Sequence, residues 1–213
     1  MRLGLLGGTF NPPHLGHLVM AQEALDQLGL DRVALVPAAV PPHKAVVGDP
    51  GAEVRARLCE LAVGEDPRFA VDRLELDRQG PSWTVDTLRE LHARSPEDEL
   101  TFIVGADIAR GLPTWREPEA VLGLARLAVA ERDGVRRAEL AEQLAPMHDG
   151  TRITFFDMPR MDLSSSVLRR RVAEGRPIRF LVPDAVADEV AARGLYAAPE
   201  PTTAGRPTHE PRA

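Results

Sequence analysis

The sequence predicts an α/β domain built on a doubly wound, mostly parallel sheet, and two observations carry that prediction. Short apolar runs of strand length alternate with segments whose apolar residues recur at helical spacing, from Leu3–Leu6 to Thr151–Asp157. Glycine, proline and asparagine fall between them where the chain must turn, and no internal repeat or interdomain linker interrupts the alternation. With 213 residues and 44 % hydrophobic content, a single domain with a sizeable core is expected. It spans residues 1–196 and ends in a small helical portion. Residues 197–213 are Pro, Thr, Ala and charge without apolar periodicity, and are expected to be disordered.

The first strand, Leu3 to Leu6, runs into Gly7-Gly8-Thr9-Phe10-Asn11-Pro12-Pro13-His14-Leu15-Gly16-His17, after which Leu18, Ala21, Leu25 and Leu28 recur at helical spacing. The stretch is therefore a strand-to-helix turn. Its adjacent glycines are expected to take positive φ and to let the backbone approach a ligand with no Cβ in the way. Pro12 and Pro13 stiffen the loop and donate no backbone hydrogen bond. His14 and His17 arrive at a helix start, where free N–H groups and the dipole already favour an anion. Together these describe a polyphosphate site. A glycine pair after a first strand is common by itself, and the stretch is neither a GxGxxG fingerprint nor a P-loop, so the specificity lies in the whole eleven-residue string.

Arg32 to Val36 forms the second strand, ended by Pro37, and Pro41-Pro42-His43-Lys44 makes a stiff loop at the edge where α/β sheets place ligands. All but one of the 26 cationic residues are arginine, and Lys44 is the exception. Where composition replaces Lys whenever either cation serves, a retained Lys points to a compact ammonium on a phosphate, against the plainer reading of a solvated loop. A helix from about Ala52 to Val63 follows, with Cys59 as a small core residue among Val54, Leu58, Leu61 and Ala62. A single cysteine allows no internal disulfide and fits a reducing, cytoplasmic setting.

Phe69 to Asp72 is the third strand. Gly80-Pro81-Ser82-Trp83-Thr84 then opens a helix with Val85, Leu88 and Leu91 on its apolar face and Ser82 or Thr84 as its cap. Leu100 to Val104 is the fourth strand, and Gly105-Ala106-Asp107 leaves its C-terminal end, so that Asp107 either accepts from sugar hydroxyls or caps a short helix. Pro113-Thr114-Trp115 follows, and both tryptophans, Trp83 and Trp115, sit near loops where they suit stacking on a ligand ring. Arg126 to Glu131 is the fifth strand, Ala138 to Leu144 is helical, and Thr151 to Asp157 is the sixth strand. Leu163-Ser164-Ser165-Ser166-Val167-Leu168-Arg169 sets three hydroxyls at a helix start with an arginine one turn in, which suits a phosphate or a plain serine cap. Pro183 to Arg193 is the last helix. Met1 leads straight into strand residues and no apolar run approaches a membrane span, so neither signal peptide nor membrane is expected. A net charge of −6 gives no general case for nucleic acid, so any phosphate site is local.

The eleven-residue string resembles the first signature of the nucleotidylyltransferase superfamily and matches it at every fixed position. Pro-Pro-His-Lys after the second strand, Pro-Ser-Trp-Thr before a helix, and Gly-Ala-Asp followed by Pro-Thr-Trp resemble the bacterial nicotinate-mononucleotide adenylyltransferases across residues 1 to about 196. Leu163 to Arg169 resembles the second superfamily signature. Ser166 stands where Thr is usual, which keeps the hydroxyl, and Arg132-Asp133-Gly134 stands where Arg-Pro-Gly is typical, on the expected adenine side.

The resemblance implies a Rossmann-like nucleotidylyltransferase fold and the joining of ATP to nicotinate mononucleotide, giving nicotinate adenine dinucleotide and pyrophosphate in NAD biosynthesis. It implies ATP binding by Gly7, Gly8, Thr9, Phe10, His14, Gly16, His17, Ser165, Ser166 and Arg169, and catalysis by His14, His17, Lys44 and Arg169. Trp83, Thr84, Asp107 and Trp115, with Lys44, would bind the mononucleotide. Mg²⁺ would ride on the phosphates and water, with no metal site of the protein's own. Neither nucleic acid nor membrane is an implied partner, and a homo-oligomer is left open. Two alternatives differ: a pantetheine-phosphate adenylyltransferase, which resembles residues 7 to 17 but is typically shorter and lacks the Pro-Thr-Trp stretch, and an ATP-sensing module without chemistry, against which the two histidines and the complete second signature count.

Overall fold

The computed structural model describes residues 1–41, 48–78, 80–131, 137–147 and 151–198. In chain order the elements are β1 (Arg2–Gly8), α1 (Leu15–Gln27), β2 (Arg32–Pro37), α2 (Ala52–Val63), β3 (Phe69–Val71), α3 (Leu74–Asp77), α4 (Thr84–Arg94) and β4 (Glu99–Gly105). They continue with α5 (Ala106–Ala109), a 3₁₀ turn (Leu112–Thr114), α6 (Pro118–Leu124), β5 (Arg126–Ala130), α7 (Arg137–Leu144), a second 3₁₀ turn (Ala145–Met147), β6 (Ile153–Phe156), α8 (Ser165–Ala173) and α9 (Asp184–Ala192).

The strands form one sheet in the order β3-β2-β1-β4-β5-β6, and every neighbouring pair is parallel. The chain winds outward from β1 to β3, then returns to β4 on the other side of β1. The switch point therefore lies between β1 and β4, where an open α/β sheet leaves a crevice at its C-terminal edge. Leu5 is in register with Ala34 and Phe102, and Leu6 with Leu35 and Ile103, which fixes the floor of that crevice.

Alternation along the strands builds a core on each face. Leu5, Val36, Phe102 and Val104 pack with Val85, Leu88 and Leu91 of α4, whereas Leu6, Leu35 and Ile103 pack with Met20, Ala21 and Ala24 of α1. Cys59 belongs to the second core, where burial pushes its thiol well above the ordinary range. A third cluster joins Leu58 and Ala62 of α2 to Leu168 of α8 and Val186 and Val190 of α9, and is the small helical portion at the C-terminal end.

The structure differs from the sequence reading in several places. Helices α3 and α6 and the turn at Leu112–Thr114 were not anticipated, because runs of three to seven residues are too short to display a helical period. The short helix offered at Asp107 is α5, with Asp107 in its first turn and Gly105 as its N-cap. β6 is shorter than Thr151–Asp157 and pairs only with β5, from Ile153 to Phe156. Helix α4 is capped by neither Ser82 nor Thr84; its N-cap is Trp83, with no side-chain cap hydrogen bond. Pro42-His43-Lys44, Arg132-Asp133-Gly134 and residues 199–213 of the expected tail lie outside the described residues. Among those described, no helix is long and apolar enough to cross a membrane.

Candidate active site at the sheet switch point

β1 delivers Gly7 and Gly8 to the crevice, and the structure corrects the role expected of them. Neither takes positive φ; Phe10 does, at φ 50°. A Cβ on Gly7 would stand 3.0 Å from the Phe102 ring and one on Gly8 3.0 Å from the Phe10 ring, so the glycines make room for aromatic side chains. Gly16 likewise leaves room for the His14 imidazole, 3.1 Å from where its Cβ would be. A left-handed non-glycine residue costs about 1–3 kcal/mol. Full burial of the Phe10 ring, 2 % exposed, contributes a stabilisation of the same order, about 1.5–3 kcal/mol.

The two histidines are stacked, their ring centroids 3.7 Å apart, with Phe10 edge-on to His17 at 5.0 Å. His14 is buried, and His17 is the one that lines the cavity. His17 Nδ1 accepts a hydrogen bond from the His14 backbone N–H at 3.2 Å, so a neutral His17 carries its proton on Nε2 and presents a donor. The helix start is partly committed: the Leu15 N–H donates to the Leu181 carbonyl at 3.1 Å.

Helix α8 closes over the same turn. Ser164 caps it by accepting from the Val167 N–H, the Ser165 hydroxyl donates to the Pro12 carbonyl at 2.8 Å, and Arg169 donates to the Asn11 carbonyl at 2.7 Å and to Ser166 Oγ at 3.2 Å. The two signatures are thus bonded to each other. Ser165, Ser166 and Arg169 are not among the residues that line the cavity. Lys44 lies outside the described residues.

The cavity measures about 460 Å³, within the range of small-molecule pockets. Two groups of residues line it and are termed its two ends: Gly7, Gly8, Thr9 and His17 from β1 and the turn into α1, and Trp83, Thr84, Asp107, Trp115 and Arg116 from the start of α4 and the segment after β4. Phe102 holds Trp115 edge-to-face at 6.0 Å, and the Arg116 guanidinium lies 5.6 Å over the Trp83 ring. Asp107 folds back across Gly105, whose Cβ would stand 2.6 Å from a carboxylate oxygen, so the bare glycine lets the exposed Asp107 side chain take this position. Glu75 is buried in the wall and accepts from the Thr87 hydroxyl; loss of solvent nevertheless holds its carboxyl above the ordinary range, against the opposing influence of the Thr87 and Ser82 hydroxyls.

The model of the cytidylyltransferase-like family matches residues 5–171. A probable nicotinate-nucleotide adenylyltransferase of Thermus thermophilus is 47 % identical over 196 residues, covering 92 % of this chain and 100 % of its own. One from Rubrobacter xylanophilus is 38 % identical over 215 residues and covers 100 % of both chains. The chain belongs to the nicotinate-nucleotide adenylyltransferase family. Among solved structures, Plasmodium falciparum nicotinic acid mononucleotide adenylyltransferase complexed with NaAD has a TM-score of 0.73 at 15 % identity, covering 92 % of this chain and 97 % of that one, a likeness of fold.

In this member of the nicotinate-nucleotide adenylyltransferase family, three groups at the site escaped the sequence reading. Arg55, in the first turn of α2, is fully buried and reaches the Thr9, Ala38 and Ala39 carbonyls. Glu75 sits in the short α3, and Arg116 follows Trp115 in a segment without period. Arg55 did carry a signal: it falls between Val54 and Leu58 on the apolar stripe of an amphipathic helix, where a charged residue needs partners.

Proposed function

We propose that this chain transfers the adenylyl group of ATP to nicotinate mononucleotide, forming nicotinate adenine dinucleotide and releasing pyrophosphate, with residues 1–196 as the catalytic unit. The observation that carries this reading is the single cavity with unlike ends. One is a loop and helix start presenting the His17 donor, and the other a pair of tryptophans beside an uncapped helix N-terminus. The 5′-phosphate of the mononucleotide is already dianionic near neutrality, its second pKa being about 6. It therefore attacks without a general base: its oxygen forms a bond to the α-phosphorus while the bond to the bridging oxygen breaks, and the electron pair leaves with pyrophosphate.

The chain's own contribution is alignment and stabilisation of charge. His17 donates from Nε2 to phosphate oxygens, with His14 stacked behind it. Lys44 and Arg169 supply cations, and Gly7, Gly8 and Thr9 supply close backbone. Trp115 stacks on the pyridine ring, the N–H groups at Thr84 receive the nicotinate carboxylate, and Asp107 takes ribose hydroxyls. Donors at the phosphate end are imidazole, hydroxyl and guanidinium, and among the described residues no group of three His, Cys, Asp or Glu is placed to hold a metal ion. That set fits Mg²⁺ carried by the phosphates and water, where it would neutralise charge on the leaving pyrophosphate. Incubating the protein with ATP and Mg²⁺ plus nicotinate mononucleotide, nicotinamide mononucleotide or phosphopantetheine separately, and resolving products by mass, tests the reading. Nicotinate adenine dinucleotide is expected as the preferred product, and dephospho-coenzyme A alone would overturn it.

A further inference from the structure

We infer that Arg55 and Ser82 are positioning residues that hold Ala38–Val40 as a splint between the two ends of the cavity, an inference that rests on the function proposed above. These three residues follow β2, and each of their backbone polar groups has a partner. The Ala38 N–H donates to the Gly8 carbonyl at 2.9 Å, and Arg55 donates to the Ala38 and Ala39 carbonyls at 2.6 and 3.1 Å. Ser82 Oγ accepts from the Ala39 and Val40 N–H groups at 3.0 and 3.4 Å, while the Ser82 N–H donates to the Val40 carbonyl at 2.9 Å. A segment satisfied so completely has little freedom to shift.

The splint is fastened at both ends to the site. The guanidinium that holds Ala38 and Ala39 also donates to the Thr9 carbonyl at 2.9 Å, inside the phosphate-end loop, and its Nε is braced by Asp49 at 2.9 Å. Ser82 directly precedes Trp83 and Thr84 at the ring end. Phosphate end and ring end are thereby bonded to the same three residues. Packing alone does not call for this device, since an apolar side chain stabilises an α2 core position without burying a charge. What the guanidinium offers is a rigid fork that meets three carbonyls from two segments at once, which an ammonium cannot reproduce. Fixing the two ends fixes the separation of attacking phosphate and α-phosphorus.

The test uses Ser82→Ala, Ser82→Thr, Arg55→Lys and the double variant Arg55→Lys/Ser82→Ala, measured for kcat, for the Kd of ATP and of nicotinate mononucleotide each alone, and for Tm. Misalignment by a fraction of an ångström to an ångström predicts a kcat loss of about 10–100-fold in Ser82→Ala and Arg55→Lys. Each substrate alone should still bind within about twofold, because neither end is dismantled. Ser82→Thr keeps the hydroxyl and should recover most of the rate. Since both substitutions release the same splint, the double variant should lose less than the product of the single losses. Folded single variants with kcat near wild type would overturn the inference, as would losses that multiply fully or that are accounted for by weaker binding of one substrate. If Arg55→Lys does not fold, the Ser82 series decides alone. Wild type that makes no nicotinate adenine dinucleotide defeats the proposed function itself, a result distinct from active wild type with indifferent variants.

Discussion

The two ends of the cavity are built in opposite ways. At the phosphate end the polar groups are bonded to one another: His14 to His17, Ser165 to Pro12, Arg169 to Asn11, Arg55 to Thr9. At the ring end, aromatic faces and a helix start without a side-chain cap look into the cavity from four separate segments, at Glu75, Ser82–Thr84, Gly105–Ile108 and Trp115–Arg116. On the proposed function, the contrast suits the chemistry each end would serve. Charge that develops in a transition state is stabilised most by donors that need no reorganisation, which demands a bonded, rigid frame. A flat aromatic ring with one polar substituent needs a slot and a few fixed donors. Variants at the phosphate end should therefore change rate, and variants at the ring end should change which substrate is used.

The sharpest test of the first half is His17→Ala. Removing one preorganised donor lowers kcat by roughly 10²–10³, while the Kd of ATP should move far less. The loss should be equal for acid and amide mononucleotides, since the proposed partner of His17 is a phosphate and neither ring. Turnover near wild type would break the assignment of this end to phosphate chemistry. Lys44→Met should cost somewhat less, on the order of tenfold to a hundredfold in kcat, with Lys44→Arg only partly restoring it because a fork does not replace a compact ammonium. Full activity in Lys44→Met returns this lysine to a solvated loop.

The same contrast explains what was legible in the sequence. The sheet was readable because buried parallel strands are near-continuous apolar runs, and the phosphate end because its loop and helix start occupy eleven consecutive residues. The ring end was readable through its tryptophans with Thr84 and Asp107 beside them, whereas Glu75 and Arg116 were missed, since proximity among residues 75, 83, 107 and 116 is created by strand order. Gly7 and Gly8 show the limit of residue-type reasoning: glycine signalled a special position, but the cause was the Phe102 and Phe10 rings beside them. Ser82 shows another, since the hydroxyl expected to cap α4 is taken by the amides of Ala39 and Val40. Arg55 belongs to the same class, as its three carbonyl partners come from two other segments.

At the ring end, specificity for acid over amide should reside in the start of α4. Nicotinate presents a carboxylate to backbone N–H donors, whereas nicotinamide can turn an NH₂ donor toward them, leaving polar groups unpaired at about 1–3 kcal/mol each. That predicts a preference for the acid of roughly tenfold to a hundredfold in kcat/KM. Thr84 is the first residue of the helix and Trp83 before it is extended, at φ −85° and ψ 129°. Proline is accepted at such a position, so Thr84→Pro deletes one N–H with the helix intact and should narrow the ratio. Trp115→Ala removes stacking common to both rings and should weaken both while leaving the ratio unchanged. Equal use of acid and amide by the wild type would defeat this reading of the ring end.

The smallest effect expected is on stability, at Glu75, where the ring end meets the splint through Ser82. Burial is the largest influence on this carboxyl and raises its pKa; the Thr87 and Ser82 hydroxyls and nearby Arg78 act in the opposite sense, and Glu90 reinforces the rise. Arg78 is itself shared, donating to Glu90 at 3.2 Å and to Thr87 Oγ1 at 3.1 Å. For a carboxyl whose pKa is higher folded than unfolded, the unfolded chain ionises first. Its contribution to stability is then fully present below the ordinary carboxylate range and is lost as pH rises through the raised value. Glu75→Gln keeps the shape and cannot ionise, so its Tm should gain on the wild type between about pH 4 and neutrality, after which the difference levels off. Calorimetric Tm values for the two proteins at matched ionic strength read this directly. Parallel curves across that window would mean that the hydroxyls and Arg78 compensate burial completely, which would make Glu75 a permanent anion facing the site where a nicotinate carboxylate is expected to bind.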